Sequence, residues 1–161
     1  MTTLAAAPEV FARRDQEIDR QLELLLRVFT PRTVFLDIGS TDCELALRAA
    51  SYVERVWAVE PPQSIPRSVC APCNLRLLRS GGVAAMAAGS VDVAFSETLK
   101  NPEEVWRALA PNGVYFIYGQ LLPALLFREA GFSRVAYYAG NVRVPAALAR
   151  IARSTATAAH K

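Results

Sequence analysis

Two short segments carry residue types at a spacing suited to holding a ligand with a ribose in it. In Phe35-Leu36-Asp37-Ile38-Gly39-Ser40-Thr41-Asp42-Cys43-Glu44-Leu45 an apolar run ends in an acidic residue and a glycine, and a helix-forming stretch begins at once. A glycine in such a turn lets the backbone approach a ligand at the carboxyl end of a strand, and the helix start offers N–H groups with no intrahelical partner. One helix further on, Val56-Trp57-Ala58-Val59 ends in Glu60. A carboxylate there can accept hydrogen bonds from both ribose hydroxyls.

Other reactive residues are fewer. Cys70-Ala71-Pro72-Cys73 is a C-x-x-C pair. A redox pair of this kind opens a helix directly after a strand, whereas this one precedes an expected strand. It also lacks the second pair or the histidines of a zinc site, so structural cysteines are the simpler reading. With Cys43 the cysteine count is odd, which fits a reducing compartment. The only histidine, His160, lies near the end of the sequence, which excludes a core histidine as general base. Glu97, Tyr115 and Tyr118 fall near the expected carboxyl-end rim, and no catalytic residue is assigned among them.

The elements that must position these residues follow from periodicity. Residues 1–11 read as a loose start. Ile18, Leu22, Leu25 and Phe29 recur at 4, 3 and 4, an amphipathic helix over 13–29 stopped by Pro31. Short apolar runs at 34–38, 56–60, 75–78, 91–95 and 114–118 read as buried strands. Helices are expected at 44–52, at 102–109 with Asn101 as cap and Pro102 first, and at 121–130 before Gly131. Segments 134–138 and 141–144 around Ala139-Gly140 read as a hairpin. Residues 146–161 read as a short helix that frays into a flexible basic tail.

Alternation of strand and helix at this spacing means right-handed βαβ units. The expected fold is three-layer α/β: an open, mostly parallel twisted sheet of Rossmann-like type, with a C-terminal antiparallel hairpin. The domain would run over 12–145. At 161 residues, 52% of them apolar and 20% charged, the chain is one domain's worth and can bury a core. No stretch reaches the roughly 18 apolar residues of a membrane span. Met1 to Arg14 lacks the pattern of a signal peptide, so a cytoplasmic protein is expected. The net charge is +3, and Arg143, Arg150, Arg153 and Lys161 face no acid in the stretch from 143 onward, which leaves −1 on residues 1–142. A domain with no basic stripe across its body argues against nucleic acid as partner.

Taken together, Asp37 to Leu45, VWAVE (56–60), GSVDVAFSETL (89–99), VWRALAPNGVYFIYG (105–119) and AGFSRV (130–135) resemble, in order and spacing, the class I S-adenosylmethionine (SAM) dependent methyltransferases. The resemblance covers about residues 33–144. It implies a strand order 3-2-1-4-5-7-6 and SAM as cofactor. It assigns Asp37, Gly39 and Ser40 to the methionine end of SAM, with Thr41 in the same loop, Glu60 to the ribose, and Ser96 to the neighbourhood of the methyl group. The chain departs from the family pattern where Thr41 and Cys43 replace its second and third glycines, and where Leu78-Arg79-Ser80-Gly81-Gly82 offers no carboxylate for the adenine. Asp42 suits a variant of the pattern.

Two readings of function result. One is a compact SAM-dependent methyltransferase with a small-molecule acceptor. The other is an inactive methyltransferase-like protein that binds or scaffolds a protein partner, such as an active homologue, as a homo- or heterodimer. The apolar stripe over residues 18–29 is read as core packing, with a dimer face or substrate lid as its alternative.

Overall fold

The computed structural model describes residues 7–39, 42–59, 72–78, 81–149 and 155–161. Helix α1 (Ala7–Leu25) leads into strand β1 (Val34–Ile38), helix α2 (Glu44–Ala49), and strands β2 (Arg55–Val59) and β3 (Leu75–Leu78). A 3-10 turn (Gly82–Ala85) precedes β4 (Val91–Ser96), α3 (Pro102–Ala108) and β5 (Leu109–Tyr118). Then come α4 (Ala124–Glu129), β6 (Arg134–Ala139), β7 (Val142–Val144), α5 (Ala146–Ala149) and β8 (Thr155–His160).

The eight strands among the described residues form one sheet in the order β3-β2-β1-β4-β5-β8-β6-β7. The pairs from β3 through β5 are parallel, whereas β8 runs antiparallel to both β5 and β6, and β7 antiparallel to β6. Strand order reverses between β1 and β4, where an open α/β sheet leaves a crevice at its carboxyl edge.

The central strands β1, β2, β4 and β5 are largely buried on both faces, so their side chains alternate between two cores. On one side Phe35, Val56, Phe95 and Phe116 pack with Ile18, Leu24 and Leu25 of α1 and Leu45 and Ala46 of α2. On the other Leu36, Ile38, Ala94, Tyr115 and Ile117 pack with Val105 of α3 and Phe127 of α4. The stripe of α1 is therefore core packing: Ile18 and Leu25 are fully enclosed, and Leu22 and Phe29 rest against the same cluster.

Three expectations are corrected. The 146–161 segment is not a solvated tail. After α5 it returns as β8 and occupies the place between β5 and β6, so Val114 pairs with His160 and Tyr118 with Ala156. Ala156, Thr157, Ala158 and Ala159 are buried there, because a strand inserted between two others under packed layers leaves room for small side chains. The expected hairpin does form, with Ala139 opposite Val142. Its second strand, however, lies at the sheet edge beyond β6 and not next to β5. Finally, α1 begins at Ala7, inside the segment read as a loose start, and stops at Leu25, four residues short of Phe29.

Helix α3 follows its sequence signals closely. Asn101 accepts hydrogen bonds from the N–H groups of Glu103 and Glu104, Pro102 is the first residue, and both glutamates lie in the first turn. Residues 111–113 belong to a long β5, where Asn112 takes a left-handed φ of 66° and the register with β4 shifts between Val91 and Val93.

Candidate functional site

At the carboxyl edge the chain leaves β1 through Gly39, whose φ is 68°. That conformation favours glycine, and its N–H donates to the carbonyl of Val59 at 2.9 Å, tying the ends of β1 and β2 together. Cys43, at the position of the family pattern's third glycine, also takes a left-handed φ of 58°. The backbone thus keeps a glycine-like conformation there although a cysteine occupies it. Its side chain is 1% exposed and belongs to the core under α1 and α2.

Alternation decides what faces the crevice. Asp37 lies opposite Phe95 in the register and shares the α1 face, where it is buried. Ser96, at the end of β4, points to the opposite face and is buried. Its hydroxyl lies 2.7 Å from both the Thr98 carbonyl and the Tyr115 hydroxyl. The carbonyl can only accept, so Ser96 donates to it and Tyr115 donates to Ser96. The Lys100 N–H in turn donates to the Tyr115 oxygen at 3.1 Å. Ser96 is therefore engaged in holding the loop after β4, and its hydroxyl is turned from the α1 side. Glu97, one residue on, is the side chain that returns to that side.

Glu97 meets two residues of α1. Arg14 Nη1 donates to its Oε1 at 2.7 Å and Gln21 Nε2 to the same oxygen at 3.0 Å. Arg14 also donates through Nε to Asp42 Oδ2 at 2.9 Å. Asp42 Oδ1 accepts the N–H of Glu44, closing the turn that opens α2. One guanidinium thus joins the loops after β1 and β4 from above. A second set, Arg48 to Asp15, Asp19 and Glu44, fastens α2 to α1. Partly exposed ion pairs contribute little stability each, but together they fix where α1 lies.

The electrostatics follow from these contacts. Burial works against both charges, yet the hydrogen bonds between Arg14 and its carboxylates outweigh it. The Arg14 guanidinium is held above its ordinary range and the Asp42 carboxyl below its own. Burial pushes the Tyr115 phenol up despite its hydrogen bonds, and burial with Glu17 and Glu97 nearby does the same to Tyr118. Both phenols keep their protons near neutrality, so they serve as donors and not as bases.

A narrow gap with no room for a water molecule lies among Arg14, Gln21, Asp37, Leu45, Phe95 and Glu97. Gln21 is fully enclosed, and its Oε1 has no hydrogen-bond partner among the described residues.

Of the residues singled out in the sequence, the structure brings Asp37 and Gly39 to this crevice. Ser40, Thr41, Glu60 and Cys70 lie outside the described residues. Cys73 is exposed. Arg14 and Gln21 were not foreseen, although a signal exists. Positions 14, 18, 21 and 25 recur at 4, 3 and 4, which puts Arg14 and Gln21 on the buried face with Ile18 and Leu25. Polar residues on such a face call for buried partners.

No family model and no curated protein matches the chain in sequence. Solved structures do match in shape. A 1,6-didemethyltoxoflavin N1-methyltransferase from Burkholderia thailandensis, crystallised with 1,6-didemethyltoxoflavin and S-adenosylhomocysteine, superposes over 100% of this chain and 93% of its own, with a TM-score of 0.63 and 18% identity. The fold is that of the class I methyltransferases. A tRNA (m1A58) methyltransferase from Aquifex aeolicus matches with a TM-score of 0.63 at 12% identity, over 89% of this chain and 68% of its own. Spermidine synthase from Thermotoga maritima matches with a TM-score of 0.65 at 13% identity, over 89% and 59%. These likenesses carry the fold, and function has to be argued from the site. Among the described residues no helix is long and apolar enough to cross a membrane.

Proposed function

We propose that the chain is a SAM-dependent methyltransferase acting on a small-molecule acceptor. One observation carries the reading. At the point where strand order reverses, the left-handed Gly39 turn and the Arg14–Asp42–Glu97 cluster face one crevice, with the buried acceptor of Gln21 in it. The residues present fit the cofactor: the turn carries no Cβ at Gly39, and a buried acceptor awaits a donor. Asp37, Gly39, Ser40 and Thr41 would hold the methionine end, and Glu60 the ribose.

When bound, SAM supplies an electrophilic methyl group on a sulfonium sulfur. The chain's own part is to bind, orient and exclude water. Positioning alone accounts for much of the acceleration in such in-line displacements. Ser96 and Tyr115 steady the loop that carries Glu97. Glu97 is the carboxylate at the rim, and Tyr118, kept protonated, is a donor beside it.

A second reading, a methyltransferase-like protein that serves as a binding partner, is favoured by one feature. The space under α1 has no room for a water molecule, whereas ligand pockets begin at roughly 300 Å³, and Arg14 and Gln21 line it.

Thermal unfolding with S-adenosylhomocysteine separates the two. Saturation at about 100 times the dissociation constant adds about 2.7 kcal/mol, and a rise in Tm of about 5–10 °C is expected for a domain of this size. No rise at millimolar ligand would remove the methyltransferase reading and leave the second.

A further inference from the structure

The basic residues near the end of the sequence have no part in the site above, and β8 gives them a place. β5 and β6 both run antiparallel to β8, so β6 runs in the sense of β1. The start of β6 therefore lies at the edge of the sheet opposite the Gly39 turn, and β8 ends beside it. His160 stands across from Arg134 of β6 and Val114 of β5, which puts the three side chains on one face. This end of β8 is held firmly. Ser133 donates both its N–H and its hydroxyl to the His160 carbonyl, at 2.8 and 3.1 Å. The Lys161 N–H donates to the Gly113 carbonyl at 3.0 Å. Its ammonium donates to the Leu109 carbonyl at 2.7 Å and rests 4.1 Å from the centre of the Trp106 ring.

A hollow of about 350 Å³ opens here, lined by Asn112, Ser133, Arg134, His160 and Lys161. Small-ligand sites begin at roughly 300 Å³. The lining offers donors and no acidic side chain. The Arg134 guanidinium and the Asn112 amide make no hydrogen bond or ion pair among the described residues. The Lys161 ammonium has further N–H groups beyond the one given to Leu109, and a neutral imidazole has one N–H. Burial, with Arg134 and with Arg143 of β7, pushes the His160 imidazole below its ordinary value. The charged groups acting on this ring are thus both guanidiniums, and the hollow has a positive potential that no side chain of its lining answers.

We propose that this hollow binds a compact dianion, and that its class of ligand is a phosphate monoester of a small organic molecule. Arg134 supplies a forked pair of donors, and Asn112, His160 and Lys161 complete the set. The donors gather in one hollow and form no stripe along the fold, which favours a small anion over a polynucleotide. The site stands at the other edge of the sheet from the Gly39 turn and does not rest on the SAM reading.

His160 is the only histidine of the chain, so its ring is a single reporter by NMR. The test titrates sodium phosphate into the full chain at about pH 6.5, where the ring is close to its ordinary midpoint, with sodium chloride at matched ionic strength as control. The expected result is a saturable movement of the His160 signals toward those of the protonated ring, because a bound anion favours the imidazolium. Chloride is expected to give only the small, unsaturable drift of screening. Arg134→Gln, a change at an exposed side chain, is expected to weaken phosphate at least about tenfold, the scale of one charged hydrogen bond. Signals that move no further with phosphate than with chloride would overturn the site. So would an Arg134→Gln protein that binds phosphate as tightly as the wild type. A single-stranded oligonucleotide that binds more tightly per phosphate than the free ion would also overturn it, and would make this edge a nucleic-acid face.

Discussion

Arg14 shows how one side chain can tie a helix to two loops that share no sequence neighbourhood with it. It is partly exposed, so its bonds to Asp42 and Glu97 are screened by water, and each contributes modestly. Their pH dependence has a definite sign. The Asp42 carboxyl is depressed below its ordinary 3.8. Stability from the Arg14–Asp42 pair is therefore full above about pH 4 and is lost as pH falls through the depressed folded value. Arg14→Met is expected to lower stability by about 1–2 kcal/mol at pH 7, with the gap to wild type narrowing at an acid pH below the depressed Asp42 value. Urea unfolding at both pH values checks this, and a gap that persists in acid would mean that Arg14 acts through packing and not through charge. Asp37 and Gly39 were legible because their types mark a strand end and a tight turn. Ser96 was legible as a position but not as an orientation, since a residue at a strand end can face either layer. Glu97 follows from it by alternation alone, once Ser96 is seen to bond Tyr115.

At the scale of elements, periodicity located the five parallel strands and helix α3, because buried strands and capped helices leave strong local marks. It failed at β8. Thr155-Ala156-Thr157-Ala158-Ala159 has little hydrophobic contrast, so its polar and small residues read as a fraying end. What makes it a strand is tertiary: unpaired edges of β5 and β6 on either side, and space only for alanine and threonine between the layers. Thr157 adds a local anchor, its hydroxyl donating to the Gln120 carbonyl at 2.9 Å and accepting the Leu122 N–H at 3.2 Å. Removing residues 155–161 leaves two strand edges facing an empty slot. The truncated chain is expected to lose cooperative thermal unfolding and to aggregate, as unpaired edges do. A truncated protein that melts in a single sharp transition near the wild-type Tm would show that β8 is dispensable.

For the molecule as a whole, the strand-helix alternation carried the fold class, and the inserted β8 completes the antiparallel flank that the hairpin was expected to supply. The site was legible only in part, because its polar lining is assembled across sequence separations of 28 and 83 residues by the bonds of Arg14. No local pattern records such a meeting. The same fold carries a 1,6-didemethyltoxoflavin N1-methyltransferase, a tRNA (m1A58) methyltransferase and a spermidine synthase, so architecture alone leaves the chemistry open. This chain places polar groups of α1 and of the loops after β1 and β4 together at the carboxyl edge of the sheet. The most direct measurement is a crystal structure of the protein grown with saturating S-adenosylhomocysteine. Ligand density at the Gly39 turn is the expected result. Well-ordered crystals with that crevice closed and no ligand in it, or with the ligand bound elsewhere, would contradict it.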